Sequence, residues 1–195
     1  MNSPSLVARA AGLLAVALFA TGAAHAKQTA SPLLNRTVKT IDGKNVNLSK
    51  YQGRVLLIVN TASLCGNTPQ YAGLEEIYKK YRARGFEVLA FPANNFGSQE
   101  PGTNGEIQAF CTEKYDVTFP LFSKISVKGA DQAPLYRFLT SDKTNPRFAG
   151  DITWNFEKFL VNRKGEVVAR YAPKHQPTEP DVIAAIETEL SKKAS

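Results

Sequence analysis

The sequence predicts an α/β domain with a central mixed sheet flanked by helices and a β-hairpin ahead of it. Three observations carry this. Val55 to Val59 is an unbroken apolar run of strand length, which suits a strand buried on both faces. A helical pattern follows, then a second apolar run from Phe86 to Phe91, so strand, helix and strand make a parallel pair with a right-handed crossover. Late in the chain, Phe159 to Val161 and Val167 to Tyr171 flank the turn residues Asn162 to Gly165, which adds an antiparallel hairpin. The 195 residues, 43% hydrophobic and 21% charged, suffice for one such core.

In chain order, Met1 to Ala26 reads as an export signal rather than as structure. Arg9 supplies the positive flank, Ala10 to Ala24 an uncharged apolar run, and Ala24-His25-Ala26 a small-x-small cleavage pattern. The run is alanine-rich and shorter than the roughly 20 residues a spanning helix needs. Cleavage would leave Lys27 first, a single domain over 27–195, and an exported, periplasmic product if the cell is Gram-negative. Val38 to Ile41 and Val46 to Leu48 flank Asp42-Gly43, a hairpin turn pair. Thr68 as N-cap and Pro69 at the first helical position open a helix in which Leu74, Ile77, Tyr78 and Tyr81 recur at helical spacing, with Gly85 as the stop. Glu75 with Lys79 and Glu76 with Lys80 are favourable i,i+4 pairs. Thr103 and Glu106 resemble a capping box, and Ile107, Phe110 and Cys111 form an apolar stripe on the next helix, so Cys111 should point inward. A short helix is expected from Pro134 to Leu139, and a closing one from about Pro180 to Leu190 with Val182, Ile183, Ile186 and Leu190 facing the core. This outline matches the layers of a thioredoxin-like fold.

The formal charge of +7 is dispersed, without the basic, aromatic-interleaved stripe expected of a nucleic-acid surface. Lys79 to Arg84, the densest basic stretch, closes a predicted helix, where cations complement the dipole. There are two cysteines, Cys65 and Cys111; in an exported protein one reading is a structural disulfide. His25 leaves with the signal, so His175 is the mature chain's one histidine, which argues against a His-rich metal site; an exposed loop is its expected setting. Cys65 follows a buried strand within a turn of a helix start, where the dipole favours a thiolate, and Gly66 lets the backbone turn tightly beside it.

Asn60-Thr61-Ala62-Ser63-Leu64-Cys65-Gly66-Asn67-Thr68 resembles the nucleophile motif of glutathione peroxidases. The segment from Phe91 through Asn94, Asn95 and Gln99 to Gly102 is similar to the family's second block, and Trp154-Asn155-Phe156-Glu157-Lys158-Phe159-Leu160-Val161 to its third. The likeness extends from about Pro32 to Leu190. It implies a hydroperoxide reductase with Cys65 as peroxidatic cysteine and with Gln99, Trp154 and Asn155 as neutral donors to the thiolate and the developing alkoxide. Attack on the peroxide would leave a sulfenic acid at Cys65. Glu106 to Cys111 resembles the resolving-cysteine segment of the thioredoxin-dependent members, which implies an intramolecular disulfide formed after local unwinding of the Cys111 helix. The reductant would be an external thioredoxin-like dithiol or glutathione, with no metal or organic cofactor. Ala93 stands where many relatives have cysteine and Asn95 where they have glutamine, and the short connection from Thr140 to Ile152 implies a monomer. Two other functions compete. A peroxide-sensing or thiol-disulfide exchange protein would usually carry Cys-x-x-Cys, which Cys65-Gly66-Asn67-Thr68 lacks. A non-enzymatic exported binding module would hold its cysteines in a permanent bridge.

Overall fold

The computed structural model describes Met1 and residues 31–193; the expected export signal falls on residues outside that range. Among the described residues no helix is long and apolar enough to cross a membrane. Strands β1 (Thr37–Lys39) and β2 (Asn45–Asn47) form the predicted hairpin, with Val38 opposite Val46. Then come β3 (Val55–Thr61), α1 (Gln70–Tyr81), β4 (Phe86–Pro92), α2 (Asn104–Tyr115), α3 (Pro134–Thr140), β5 (Lys158–Val161), β6 (Val167–Tyr171) and α4 (Pro180–Ser191). The main sheet runs β4-β3-β5-β6. β3 pairs parallel with β4 and antiparallel with β5, which pairs antiparallel with β6.

All seven residues of β3 are buried, and their alternation divides the core. Val55, Leu57 and Val59 pack with α1, α2 and α4 on one face. Leu56 and Ile58 pack on the other with α3, Leu33 and Leu34. Each such aliphatic side chain contributes about 1.5–3 kcal/mol on burial, so the two cores clamp the strand whose end carries Cys65.

The structure corrects several local expectations. Helix α1 starts at Gln70 with Pro69 as an N-cap that makes no side-chain bond; the Thr68 hydroxyl is engaged by the Cys65 N–H and the Ala62 carbonyl instead. Its end tightens into a 3-10 turn at Arg82–Arg84, and Gly85 stops it at φ 96°. Glu75 pairs with Lys79 at 3.3 Å and also accepts the Thr118 N–H at 2.9 Å, whereas no ion pair joins Glu76 to Lys80 among the described residues; Lys80 lies over the Tyr81 ring instead. Ile183 and Phe110 do face the core as expected, packed against it half-buried. The capping box at Thr103 and Glu106 is present, but of the 12 residues of α2 only Ile107 and Cys111 are buried. Phe110 and Tyr115 pack half-buried against the same core, Tyr115 with its ring 5.4 Å from that of Tyr71 on α1, so most of the helix surface still faces solvent while one stripe holds it to the domain.

Candidate active site

Cys65 sits in the loop between β3 and α1 and is 8% exposed. Thr68 ties that loop: its hydroxyl accepts the Cys65 N–H at 3.0 Å and donates to the Ala62 carbonyl at 2.8 Å, while its own N–H donates to the Cys65 carbonyl at 3.0 Å. The closed loop aims the Asn67 N–H at Cys65 Sγ, 3.3 Å away. Thr68→Val keeps the shape but strands a buried donor and acceptor, which costs about 2 kcal/mol. Urea unfolding should show that loss, and stopped-flow mixing with peroxide a rate constant lowered about tenfold as the Sγ cradle loosens.

Gln99 approaches from the loop after β4. Gly97 and Ser98 both take positive φ, 59° and 52°, a reversal that brings the Gln99 carbonyl onto the Leu64 N–H at 3.0 Å. Its Oε1 accepts from Asn155 Nδ2 at 3.0 Å, and the Asn155 carbonyl accepts from Asn67 Nδ2 at 3.3 Å. Asn155 is held in turn because Phe156, at φ 67°, donates its N–H to the Asn60 carbonyl at 2.7 Å. A non-glycine residue there costs about 1–3 kcal/mol, offset here by the Asn60 side chain, which bonds the Trp154 carbonyl at 3.0 Å and the Glu157 N–H at 3.1 Å. Trp154 is 40% exposed and rests on Phe96 with ring centres 5.4 Å apart.

Cys65, Gln99, Trp154 and Asn155 are thus brought together. Cys65 and Trp154 share the wall of an open pocket of about 590 Å³ with Asn67, Pro173 and Lys174. Gln99 and Asn155 are bonded to one another and each holds a residue beside Cys65, Gln99 through its carbonyl on the Leu64 N–H and Asn155 through its carbonyl on Asn67 Nδ2. Among the described residues the hydrogen bond to Sγ comes from the Asn67 backbone, a donor that residue types do not reveal because any residue but proline could supply it. Asn95 does not reach the thiol; it pins the neighbouring loop by accepting the Val127 N–H at 2.8 Å and donating to Ser126 Oγ at 2.9 Å.

The opposite pocket wall, Ala172 to Lys174, rests on Lys158, a fully buried lysine whose ammonium donates to the Pro173 carbonyl at 3.4 Å and to that of His175. Gln70 Nε2 also donates to the Pro173 carbonyl, at 2.7 Å. Burial drives Lys158 down from its ordinary value to about 7, against a smaller opposing pull from Glu179 and Glu157. Between that pH and about 10.5 the unfolded chain holds more protons at this site than the folded protein, so its contribution to stability increases as pH rises through that window. Measured by urea unfolding, the stability of wild type relative to Lys158→Met should rise by about 2–3 kcal/mol from pH 7 to pH 9.5.

Cys111 and Cys65 are both free thiols within one apolar core. Cys111 is fully buried, as its periodicity predicts, and burial pushes its thiol up to about 11. His175 is half-buried rather than exposed, against Tyr171 and bonded through Nε2 to Asp181 Oδ1 at 2.9 Å at the start of α4. With Glu179 these residues form a trio whose ligand atoms lie within 4.8 Å of one another; holding the start of α4 accounts for it.

The sequence profile of the glutathione peroxidase family matches residues 33–140. The chain is 51% identical to the hydroperoxy fatty acid reductase gpx1 of Synechocystis over 76% of its length and 89% of that protein. It is 45% identical to the thioredoxin/glutathione peroxidase BtuE of Escherichia coli over 82% of its length and 98% of that protein. The crystal structure of Trgpx in apo form superposes with a TM-score of 0.66 at 35% identity, covering 84% of this chain and 98% of that one.

Proposed function

This chain belongs to the glutathione peroxidase family and is a thiol peroxidase that reduces hydroperoxides with an external thiol co-substrate, and on that premise we propose that Cys65 is its peroxidatic nucleophile. One observation carries the assignment: Sγ accepts the Asn67 N–H at 3.3 Å in a pocket open to solvent and shared with Trp154. The thiolate attacks the peroxide oxygen, the O–O bond breaks, the alkoxide leaves with a proton as alcohol or water, and Cys65 becomes a sulfenic acid. Because Gln99 Oε1 accepts from Asn155, its NH₂ is turned away from Asn155 and, with the Trp154 indole N–H, serves the oxygen that gains charge. Reduced protein mixed with excess hydroperoxide and no reductant should consume one equivalent rapidly and then stop. Continued consumption without reductant would contradict a stoichiometric thiol.

The pocket supports a substrate class. Trp154, Ala172 and Pro173 offer apolar wall, and Lys174 stands at its edge, which suits an acyl-chain hydroperoxide whose carboxylate meets the ammonium. Lys174→Glu should lower kcat/KM for a fatty acid hydroperoxide by about tenfold, near 1.4 kcal/mol, and leave hydrogen peroxide within about twofold. Equal effects on both would remove the acyl-chain assignment.

Cys111 is the resolving cysteine in this proposal. Cys111 and Cys65 lie in one core cluster, and local opening of α2 carries the Cys111 thiol to the Cys65 sulfenic acid; the resulting disulfide is reduced by an external dithiol. We further propose that residues 1–26 are an export leader and that the mature domain from Lys27 is a periplasmic monomer. The signal-like pattern before Ala26 supports the leader, and the short connection after Thr140 supports the monomer. N-terminal sequencing of the exported protein and its sedimentation are the tests.

A further inference from the structure

The loop carrying Cys65 and the helix carrying Cys111 meet along a second groove of about 220 Å³, lined by Ser63 and Leu64 on one side and by Ile107 and Phe110 of α2 on the other. Glu100 lies in it. The residue is 1% exposed, and its Oε2 is buried without a hydrogen-bond partner among the described residues. Its backbone is clamped, since its N–H donates to Asn94 Oδ1 at 2.8 Å and its carbonyl accepts from Lys124 Nζ at 3.1 Å. Thr61 Oγ1, Ser63 Oγ and the Tyr71 hydroxyl are likewise buried without a partner at hydrogen-bond distance, Ser63 lying near the Glu100 carboxyl and Thr61 near the Tyr71 hydroxyl. Such a concentration of unsatisfied polar atoms in a folded core calls for an explanation, a catalytic role among them.

We propose that Glu100 is the general base and acid of the resolving step, taking the proton from Cys111 as its helix opens and returning it to the oxygen that leaves Cys65. The proposal rests on the two-cysteine assignment above. Glu100 removes the Cys111 S–H proton, and the thiolate attacks the sulfur of the Cys65 sulfenic acid. The S–S bond forms as the S–O bond breaks, and the hydroxide takes the proton back from Glu100 and departs as water. Cys111 is oxidised and the sulfenic sulfur reduced, so no other reagent is needed.

The need follows from Cys111 itself, which burial keeps protonated in the closed helix and which, once the helix opens, is an ordinary thiol still mostly protonated near neutrality. Burial likewise holds the Glu100 carboxyl above its ordinary value, against weaker pulls from Ser63 and Lys124. The other groups near Cys111 or in the groove are committed or unsuitable. Tyr71, facing Cys111 from α1, is driven well above its ordinary range by burial. Glu106 serves the capping box, accepting the Thr103 N–H at 2.7 Å. Lys124 Nζ donates to the Glu100 and Gly102 carbonyls.

The test uses reduced full-length wild type, Glu100→Gln and Glu100→Asp with one equivalent of hydrogen peroxide from pH 5.5 to 8.5. Stopped-flow Trp154 fluorescence reads the peroxide step, and quenched alkylation with intact mass reads disulfide formation. In Glu100→Gln the peroxide step should stay within about threefold, while disulfide formation at pH 7 falls about 10- to 100-fold and now climbs about tenfold per pH unit, as hydroxide becomes the base. Glu100→Asp should restore part of the rate and the shallower profile. An unchanged disulfide rate and pH profile in Glu100→Gln overturns the proposal, as does an equal loss in both steps with no rescue by aspartate. If wild type forms no disulfide, the resolving assignment of Cys111 is itself wrong and the role of Glu100 falls with it.

Discussion

Cys65→Ser is expected to lower peroxidase turnover by at least about 10⁴-fold, since a serine hydroxyl is far less acidic than a thiol and cannot cycle through a sulfenic state. The substitution is nearly isosteric, and the Thr68 bonds that close the loop engage the backbone of residue 65. The fold should therefore persist, with a thermal midpoint within a few degrees of wild type. Initial rates of hydroperoxide loss with dithiol and with glutathione give the result directly. Retention of more than a tenth of the activity would mean that the reacting group lies elsewhere, and Cys111 is the other thiol available.

Cys111→Ser should separate the two halves of the cycle. The first equivalent of peroxide is consumed at the wild-type rate, because Cys111 forms no part of the Cys65 pocket wall, while turnover supported by a dithiol falls about 100-fold. Glutathione, which can attack the sulfenic acid itself, should keep its rate. Without a resolving thiol the sulfenic state persists and becomes open to overoxidation at high peroxide. A hydroxyl at this fully buried position costs about 1–3 kcal/mol of stability, so Cys111→Ala serves as the control and should show the same kinetic split. Undiminished dithiol turnover in both variants would make Cys111 a packing residue only.

The layers of the fold were legible because they follow from periodicity. The continuous apolar run of β3 corresponds to a strand buried along its whole length, and the inward position of Cys111 followed from its spacing after Ile107. The site was less legible where backbone groups and loop closure carry it. Thr68 before Pro69 has the pattern of a helix cap, and nothing in that pattern shows that its hydroxyl bonds the Cys65 N–H instead. Asn67 acts through its N–H, which leaves no trace in composition. Asn60 supports the positive φ of Phe156 across nearly a hundred residues of chain, a contact set by the β3–β5 pairing. Lys158 and Glu100 did leave a signal: a lysine beside the apolar Phe159-Leu160-Val161 and a carboxylate next to a proposed catalytic glutamine are costly to bury, and so mark positions with a specific partner or role.

The claim on which the rest depends is that peroxide oxidises Cys65 and that Cys111 then closes on it. It is tested most directly by treating reduced wild type and Cys111→Ser with one equivalent of hydroperoxide and a sulfenic-acid trap, then mapping the products by peptide mass. Wild type should lose two hydrogens to a Cys65–Cys111 disulfide, and Cys111→Ser should carry the trap on Cys65. A trap found on Cys111, or no oxidation at Cys65 in either protein, would contradict the account.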